Sequence, residues 1–587
     1  MPVALCQNAS KNNLLWAIGA NAVILAFFLL FTTMKYAETD DSSLSSAIAL
    51  NGYYYFTFTN YFLNALVGFI QKITPFWNAW VGCQISFSFI AFVAISYAFF
   101  EKARDSLWMK FLGVLIVVIF AYDHYASIQF SQTAALLMVA GTLLTIHAII
   151  NTSGKPALLI GCLLFLIGTW YRFSGVYAAL CFAAIFAAFS AFCYRKELFR
   201  LLSDDKAKRI QIALVVVFVF MAFATHEASQ KIDRQTPELK AYTEYNSARA
   251  QFMDHPKPDY DENAAFFEEL GISKAAYTLM GLWVLDYNTV ASLENLKKIN
   301  EFQSSGQRDS FDIKMLVYQY LKKTRDHVRD FTHRGINTIF LMMLAVFALI
   351  AIRFRYWPKF IVFALAYLAL YLYLYYLGHR PYRASYIIDL AAIAWCAYSI
   401  HIEHLRPVFV TLLTEKTKRR ASVAVVILLT AATGFLLNSS DDLNISPSNI
   451  AQPPIKEAGE IGQYINSHPE KVFVFTTRTN SINKYRTDNY STPLMPLSET
   501  AGNTFSFGGW SITSPYHQGR LAKQNLANVF GDIIDNESVF VVEFADERIQ
   551  LFEDFFTEYY APPGKTIFFD KIETGGDVKL WQVKTKP

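Results

Sequence analysis

Leu14-Leu15-Trp16-Ala17-Ile18-Gly19-Ala20-Asn21-Ala22-Val23-Ile24-Leu25-Ala26-Phe27-Phe28-Leu29-Leu30-Phe31-Thr32-Thr33-Met34, with Glu38-Thr39-Asp40-Asp41-Ser42 close behind it, decides how this chain is read. The first stretch supplies the ~20 apolar residues that carry a helix across a bilayer. No small-residue cleavage site follows it, so it reads as a retained span and not a signal peptide. The second stretch puts adjacent carboxylates where that helix leaves the bilayer. Carboxylates anchor poorly there and add nothing to a core. Asp40 and Asp41 are either an N-cap pair for a helix over Ser43–Leu50 or a general-base or ion site at the membrane surface.

Similar apolar runs recur along the 587 residues, which are 53% hydrophobic and 17% charged, against ~25% charged in soluble domains. Spans are predicted over 14–34, 76–100, 107–122, 133–151, 157–171, 176–194, 210–226, 336–352, 360–378, 384–400 and 421–437. Basic residues then fix the orientation. Loops 101–110, 195–209, 353–359 and 401–420 are rich in Lys and Arg and all fall on one side, the cytoplasm, which also holds the N-terminus. The short loops of the opposite side, 123–132, 172–175 and 379–383, carry only Arg172, Arg380 and Arg383. The net charge of +4 is small and its cations sit between spans, which gives no reason to expect a nucleic-acid partner. The six cysteines lie in or beside apolar segments, which argues against a disulfide framework or a zinc cluster.

The chain is therefore read as a polytopic α-helical membrane protein of about eleven transmembrane helices with a small C-terminal extracytoplasmic α/β domain. The membrane part is 1–437. It includes an aromatic segment, 43–75, suited to lie in the interface plane, and a helical extracytoplasmic insertion, 227–335. A Pro-containing linker, 438–454, leads to the α/β domain, 455–587. Strands are predicted at 471–475, 538–544, 566–569 and 578–583, with helical patterns near 455–467 and 545–560.

Six groups on the outer side are candidates for chemistry. Asp40 and Asp41 are the acid pair. Arg172, within Gly168-Thr169-Trp170-Tyr171-Arg172-Phe173-Ser174-Gly175, has a guanidinium fork suited to phosphate, or it snorkels. His379, Arg380 and Arg383, within Leu377-Gly378-His379-Arg380-Pro381-Tyr382-Arg383, form a compact cationic turn. Asp123 and His124 are read as a loop pair, either solvated or acting as second acid-site residues. Arg249 and Asp254 are read as a helical surface pair or as acceptor-site residues. Lys72, at the end of the interfacial segment, either anchors or meets a lipid head group. In the tail, Trp510 and nearby aromatics are candidate stacking surfaces for a glycan.

Together these features resemble the GT-C superfamily of membrane glycosyltransferases. Thr39-Asp40-Asp41 stands where that family's acidic motif follows the first helix. Asn60-Tyr61-Phe62-Leu63-Asn64-Ala65-Leu66-Val67-Gly68 is similar to the interfacial segment behind it. Tyr245-Asn246-x-x-Arg249, Asp254, Asp259-Tyr260, Trp283 and Asp286 look like the insertion of bacterial proteins of this type. The resemblance implies a bacterial plasma-membrane enzyme that takes a sugar from a polyprenyl-phosphate or polyprenyl-diphosphate donor to a glycan, lipid or protein acceptor outside the cytoplasm. It implies Asp40 or Asp41 as general base and Arg172, Arg380, Arg383, His379 or Lys72 on the donor phosphate. It calls for no nucleotide cofactor and leaves a divalent cation open. A polysaccharide polymerase or ligase, and a lipid-linked glycan flippase, are the alternatives. A flippase places charge at mid-membrane depth, where this sequence offers mainly Asp389. The reading carries a spatial test: Asp40, Asp41, Arg172, Arg380 and Arg383 must meet at one recess, and a scattered arrangement removes it.

Overall fold

The computed structural model describes residues 3–32, 34–36, 39–103, 107–151, 155–193, 206–309, 314–315, 317–318, 320–322, 357–377, 382–399, 464–465, 467–476, 502–543, 546–572 and 579–587. Expected spans 336–352 and 421–437 and the linker 438–454 lie outside the described residues, as do His379 and Arg380.

The membrane part begins with helix α1 (Val3–Phe31), a two-residue strand β1 (Lys35–Tyr36) and a short helix α2 (Thr39–Ser45). A π-helical turn, Ser46–Leu50, and an irregular aromatic stretch lead to α3 (Tyr61–Ile73), whose first turn is capped by Asn60. Then come α4 (Ala79–Ala103), α5 (Leu107–Tyr125), strand β2 (Ser127–Ile128), α6 (Phe130–Asn151), α7 (Lys155–Tyr171), α8 (Val176–Cys193) and α9 (Lys206–Ile232). Among the described residues five helices are long and apolar enough to cross a membrane, α1, α4, α6, α8 and α9 among them. Their exposed side chains, such as Trp16, Val23, Tyr177, Val216 and Phe220, are apolar because the surrounding solvent would be lipid.

Small and polar residues hold these helices together, as expected where burial between helices gains little over lipid. Asn21 of α1 donates to Ser96 of α4 at 2.9 Å. Helices α6 and α7 meet so closely that a Cβ on Gly141 would lie 2.5 Å from the Phe165 amide nitrogen. That contact fixes the height of α7, whose last turn leads into Arg172. Basic residues gather at one end of the bundle: Lys102 reaches the Tyr398 carbonyl, and Lys208 reaches the Ile149 carbonyl. The C-terminal ends of α1 and α7 lie at the other.

The insertion contributes α10 (Pro237–Asp254), α11 (Ala264–Glu269), α12 (Lys274–Gly281) and α13 (Leu293–Asp309). Thr236 caps α10 and Ser273 caps α12 through their side-chain oxygens. Two further apolar helices, α14 (Trp357–Tyr376) and α15 (Tyr382–Tyr398), return to the bundle. The tail supplies β3 (Val472–Phe475), β4 (Thr504–Ser506), α16 (Pro515–Lys523), β5 (Val539–Val542), α17 (Asp546–Tyr560), β6 (Thr566–Ile572) and β7 (Leu580–Lys586). Its strands form one mixed sheet in the order β4-β3-β5-β7-β6. The β3 pairings with β4 and β5 are parallel, and the β7 pairings with β5 and β6 are antiparallel. Strand β4 was not legible in the sequence, because its three residues are too short to show a period.

The insertion and the tail bury one common core. Leu279, Met280 and Leu285 of the insertion join Phe507, Phe530 and Phe556 of the tail in a single apolar cluster. Leu285 N–H donates to the Phe507 carbonyl at 2.9 Å. Asp286 is fully buried and accepts from the Tyr560 hydroxyl of α17. Gly508 lies so close to Trp283 that an added Cβ would overlap the Trp283 carbonyl oxygen. Trp283 itself is held at φ 71°, a left-handed conformation rare for a bulky residue. Gly508→Ala is therefore expected to push the two segments apart at a cost of about 2 kcal/mol. Thermal unfolding should fall by several degrees, and limited proteolysis should cut the tail faster than in the wild type.

Candidate functional site

The site is built at the end of the bundle where α1 finishes. Strands β1 and β2 pair in parallel, Lys35 with Ser127 and Tyr36 with Ile128, and tie the chain after α1 to the turn after α5. This delivers α2 against the start of α6. Adjacent residues on a helix point in different directions, so Asp40 and Asp41 receive different surroundings.

Asp41 points inward and is fully buried. Its carboxylate accepts from Gln84 Nε2 at 2.9 Å, from the Trp80 indole at 3.1 Å and from the Phe130 backbone N–H at 3.1 Å. Thr133 donates to Gln84 Oε1 at 3.1 Å, which fixes the amide so that its nitrogen faces Asp41. Burial raises the Asp41 carboxyl to about 7, while the three donors and the nearby Asp40 charge act in opposite senses on the same group.

Asp40 is turned away from that buried contact and keeps 26% of its side chain exposed. Arg383, in the first turn of α15, brings Nη1 to 3.6 Å from Asp40 Oδ2, a long ion pair. Arg172 and Arg249 act on Asp40 electrostatically, and Asp254 opposes them. Burial outweighs these attractions and holds the Asp40 carboxyl above its ordinary range.

Each arginine is positioned by its neighbours. Arg172 is extended between α7 and the turn Phe173–Gly175, with its guanidinium 6.0 Å from the Phe130 ring. The Trp170 carbonyl accepts from Asn60 N–H at 2.8 Å and pins this segment to α3. Arg249 is buried on α10 and donates through Nε to Asn246 Oδ1 at 2.9 Å. Asn246 in turn donates to Thr57 at 2.6 Å, and the Arg249 guanidinium lies 5.2 Å from the Trp283 ring. Burial lowers the pKa of both Arg172 and Arg249, with Asp254 and Asp40 opposing it. Both remain charged, since a guanidinium does not lose its proton in a protein.

The spatial arrangement thus gathers Asp40, Arg172, Arg249, Asp254 and Arg383. Three arginines stand against two carboxylates in this group, so an anion is favoured there. Other candidates sit elsewhere. Lys72 is exposed on the last turn of α3. Asp123 and His124 are not in a loop: α5 continues to Tyr125, and both are buried. His124 bonds Tyr386 Oη at 2.6 Å through Nε2 and Ser88 Oγ at 3.2 Å through Nδ1, so both ring nitrogens are engaged in the bundle. The loop reading failed because the helix carries its polar end inward, where Ser88 and Tyr386 replace water. Asp389 accepts from Tyr371 at 2.7 Å and Tyr367 at 3.0 Å, which satisfies one oxygen of a buried acid. Among the described residues, no three His, Cys, Asp or Glu side chains converge to hold a metal ion.

Sequence reasoning missed the holders of Asp41. Gln84 was the available signal: a polar residue four positions after Trp80, on one face of an otherwise apolar span, marks a buried partner. No such signal existed for the packing of Trp510 on Phe56 and Phe58, which joins the tail to the aromatic stretch.

No protein-family model matches the chain, and no curated protein matches it. Two solved structures are similar in overall extent. ArnT from Cupriavidus metallidurans in the apo state is 10% identical, with a TM-score of 0.43 over 96% of each chain. The same protein bound to undecaprenyl phosphate is 9% identical, with a TM-score of 0.44 over 97% of each chain.

The Asp41 environment makes a pH-dependent prediction. Its folded carboxyl, at about 7, lies above the ordinary 3.8, so the folded state holds the proton more tightly. Its contribution favours folding at low pH and is lost as pH rises from about 3.8 to about 7. Asp41→Asn keeps an acceptor for the three donors and cannot ionise, so thermal unfolding across that range should lose this dependence. Asp41→Ala leaves those donors unpaired and should cost about 3 kcal/mol at low pH, a cost that shrinks as pH rises from about 3.8 to about 7.

Proposed function

We propose that this protein is a membrane glycosyltransferase of the GT-C type, moving a sugar from a polyprenyl-phosphate-linked or polyprenyl-diphosphate-linked donor to an acceptor hydroxyl outside the cytoplasm. The observation that carries the reading is the partly exposed Asp40 carboxylate at the end of apolar helices, with Arg383 3.6 Å away and Arg172 and Arg249 in electrostatic reach. A lone carboxylate there would be an expensive ornament. One surrounded by arginines from three distant parts of the chain suits a base beside an anionic leaving group. The Lys and Arg distribution of the loops supports an extracytoplasmic orientation for this end.

In this reading the donor's prenyl chain stays in lipid and its phosphate meets the arginines. The acceptor oxygen attacks the anomeric carbon as Asp40 takes its proton. The carbon–oxygen bond to phosphate breaks, and its electron pair leaves with the prenyl phosphate. The guanidinium groups stabilise the charge that grows on that leaving group. An Asp40 pKa above the ordinary carboxylate range suits a general base, whose efficiency rises with basicity. Asp41 orients the helix that presents Asp40 and does not itself reach the recess. Arg249 joins the phosphate-binding set, with Arg383 as the described member of the 379–383 turn.

The test is transfer by the purified protein, presented with a panel of polyprenyl-phosphate sugars and labelled acceptors. Asp40→Asn is expected to lower kcat by about 10²–10⁴ with the fold intact. Arg172→Ala and Arg383→Ala should each weaken donor use by roughly tenfold or more. The wild-type rate should rise with pH along a limb above the ordinary carboxylate range. Transfer at the wild-type rate by Asp40→Asn would overturn the assignment.

A further inference from the structure

We propose that Thr225 and His226, near the C-terminal end of α9, are positioning residues for Arg172: they clamp the chain on both sides of that arginine and leave its guanidinium to meet a donor phosphate. This rests on the reading of Arg172 as a phosphate contact and names what holds that contact in place.

The clamp closes on the residues that flank Arg172. On the N-terminal side, the Trp170 indole donates to Thr225 Oγ1 at 3.0 Å. The Thr225 carbonyl accepts from Asn60 Nδ2 at 3.2 Å, while Asn60 N–H donates to the Trp170 carbonyl at 2.8 Å, so α3, α7 and α9 are knotted together there. On the C-terminal side, the His226 imidazole lies flat on the Phe173 ring, with centroids 3.8 Å apart and planes 3° from parallel. Gln230 donates to His226 Nε2 at 2.9 Å and holds the imidazole in that plane. Phe223 meets the same Phe173 ring edge-to-face at 5.1 Å. Phe223, His226 and Gln230 stand three and four residues apart, on one face of α9. The backbone between the two grips is closed as well. Arg172 N–H donates to the Gly168 carbonyl at 3.1 Å, and Gly175 N–H donates to the Arg172 carbonyl at 3.4 Å.

The side chain of Arg172 is treated differently from its backbone. Among the described residues, no hydrogen bond or ion pair engages its guanidinium, whose neighbour is the Phe130 ring at 6.0 Å. Phe130 N–H also holds the Asp41 carboxylate at 3.1 Å, which places Arg172 beside α2. The other two arginines are already engaged: Arg249 donates to Asn246 at 2.9 Å, and Arg383 pairs with Asp40 at 3.6 Å. A guanidinium carries five N–H donors in a fixed fork. Leaving them unmet at a partly buried position is costly, and an anion with several acceptor oxygens removes that cost. Gripping a phosphate also costs the freedom of the group that grips it. A backbone fixed beforehand on both sides reduces that loss. The clamp therefore acts on affinity for the phosphate and not on the attack at the anomeric carbon.

The experiment measures equilibrium binding of tritiated farnesyl phosphate to the full-length protein in lipid nanodiscs, with farnesol as the control for partition of the prenyl chain. It needs no sugar and no acceptor. His226→Ala removes the stack and is expected to weaken farnesyl phosphate binding by about tenfold, with farnesol unchanged. His226→Phe keeps a flat ring on Phe173 and should bind within about twofold of the wild type. Thr225→Val removes the acceptor of the Trp170 indole and should weaken binding by about fivefold, and Thr225→Ser should restore it. In an Arg172→Ala background, His226→Ala should cause no further loss, because a positioning residue acts only through the group it positions. An equal loss in both backgrounds overturns the proposal, and so does wild-type affinity in both His226→Ala and Thr225→Val, whatever happens to thermal stability. The two readings fail separately. Weakened binding by Arg172→Ala beside unchanged binding by the clamp variants leaves Arg172 on the phosphate and removes the clamp. Wild-type binding by Arg172→Ala removes Arg172 from the phosphate, and the clamp with it.

Discussion

The buried carboxylate of Asp41 is the contact on which the site depends. Trp80 and Gln84 come from α4 and the Phe130 N–H from the start of α6, so one side chain joins three helices at the rim of the bundle. An isolated carboxylate in such a place is costly, and three donors offset that cost only if the helices stand in register. The arrangement therefore selects one placement of α2. With Asp41 fixed inward, the next residue toward the N-terminus is turned toward the recess. The partly exposed carboxylate of Asp40 is thus presented by a buried, structural one.

The same logic explains why the site has two layers. Its floor is formed by the ends of membrane helices, which supply Arg172 and Arg383. Its roof is formed by the insertion and the tail, which share one apolar core and supply Arg249, Asp254 and Trp510. Neither layer holds all the charges that face Asp40. The roof is fastened at the aromatic stretch 53–58, through Asn246 to Thr57 and through Trp510 to Phe56 and Phe58. Aromatic residues at that depth suit an interface that is apolar on one side and wet on the other.

Much of this was legible before any coordinates. The apolar runs that became α1, α4, α6, α8 and α9 follow from length alone, because lipid leaves a spanning backbone no other way to pair its polar groups. Strands β3, β5, β6 and β7 of the tail showed as short β-branched and aromatic runs. Asp40, Arg172 and Arg383 were legible as polar residues at span ends. Arg249 was visible only as a charge on a helix, because nothing local tells a buried arginine from an exposed one. The Asp123-His124 pair misled for the same reason: a polar dipeptide after an apolar run looks like a loop, yet its helix continued and Ser88 and Tyr386 satisfied the imidazole.

The sequence by itself determined the membrane class, the position of most spans, the texture of the tail and a short set of polar residues worth watching. Those are local properties, set by length, hydropathy and period. Only the tertiary structure decided that Asp41 is held inward and Asp40 faces the recess. It also decided that Arg172, Arg249 and Arg383 converge there, and that Trp510 arrives from the tail. The reason is physical: convergence depends on how helices cross and which faces they bury, and neither is encoded in any window short enough to read along the chain.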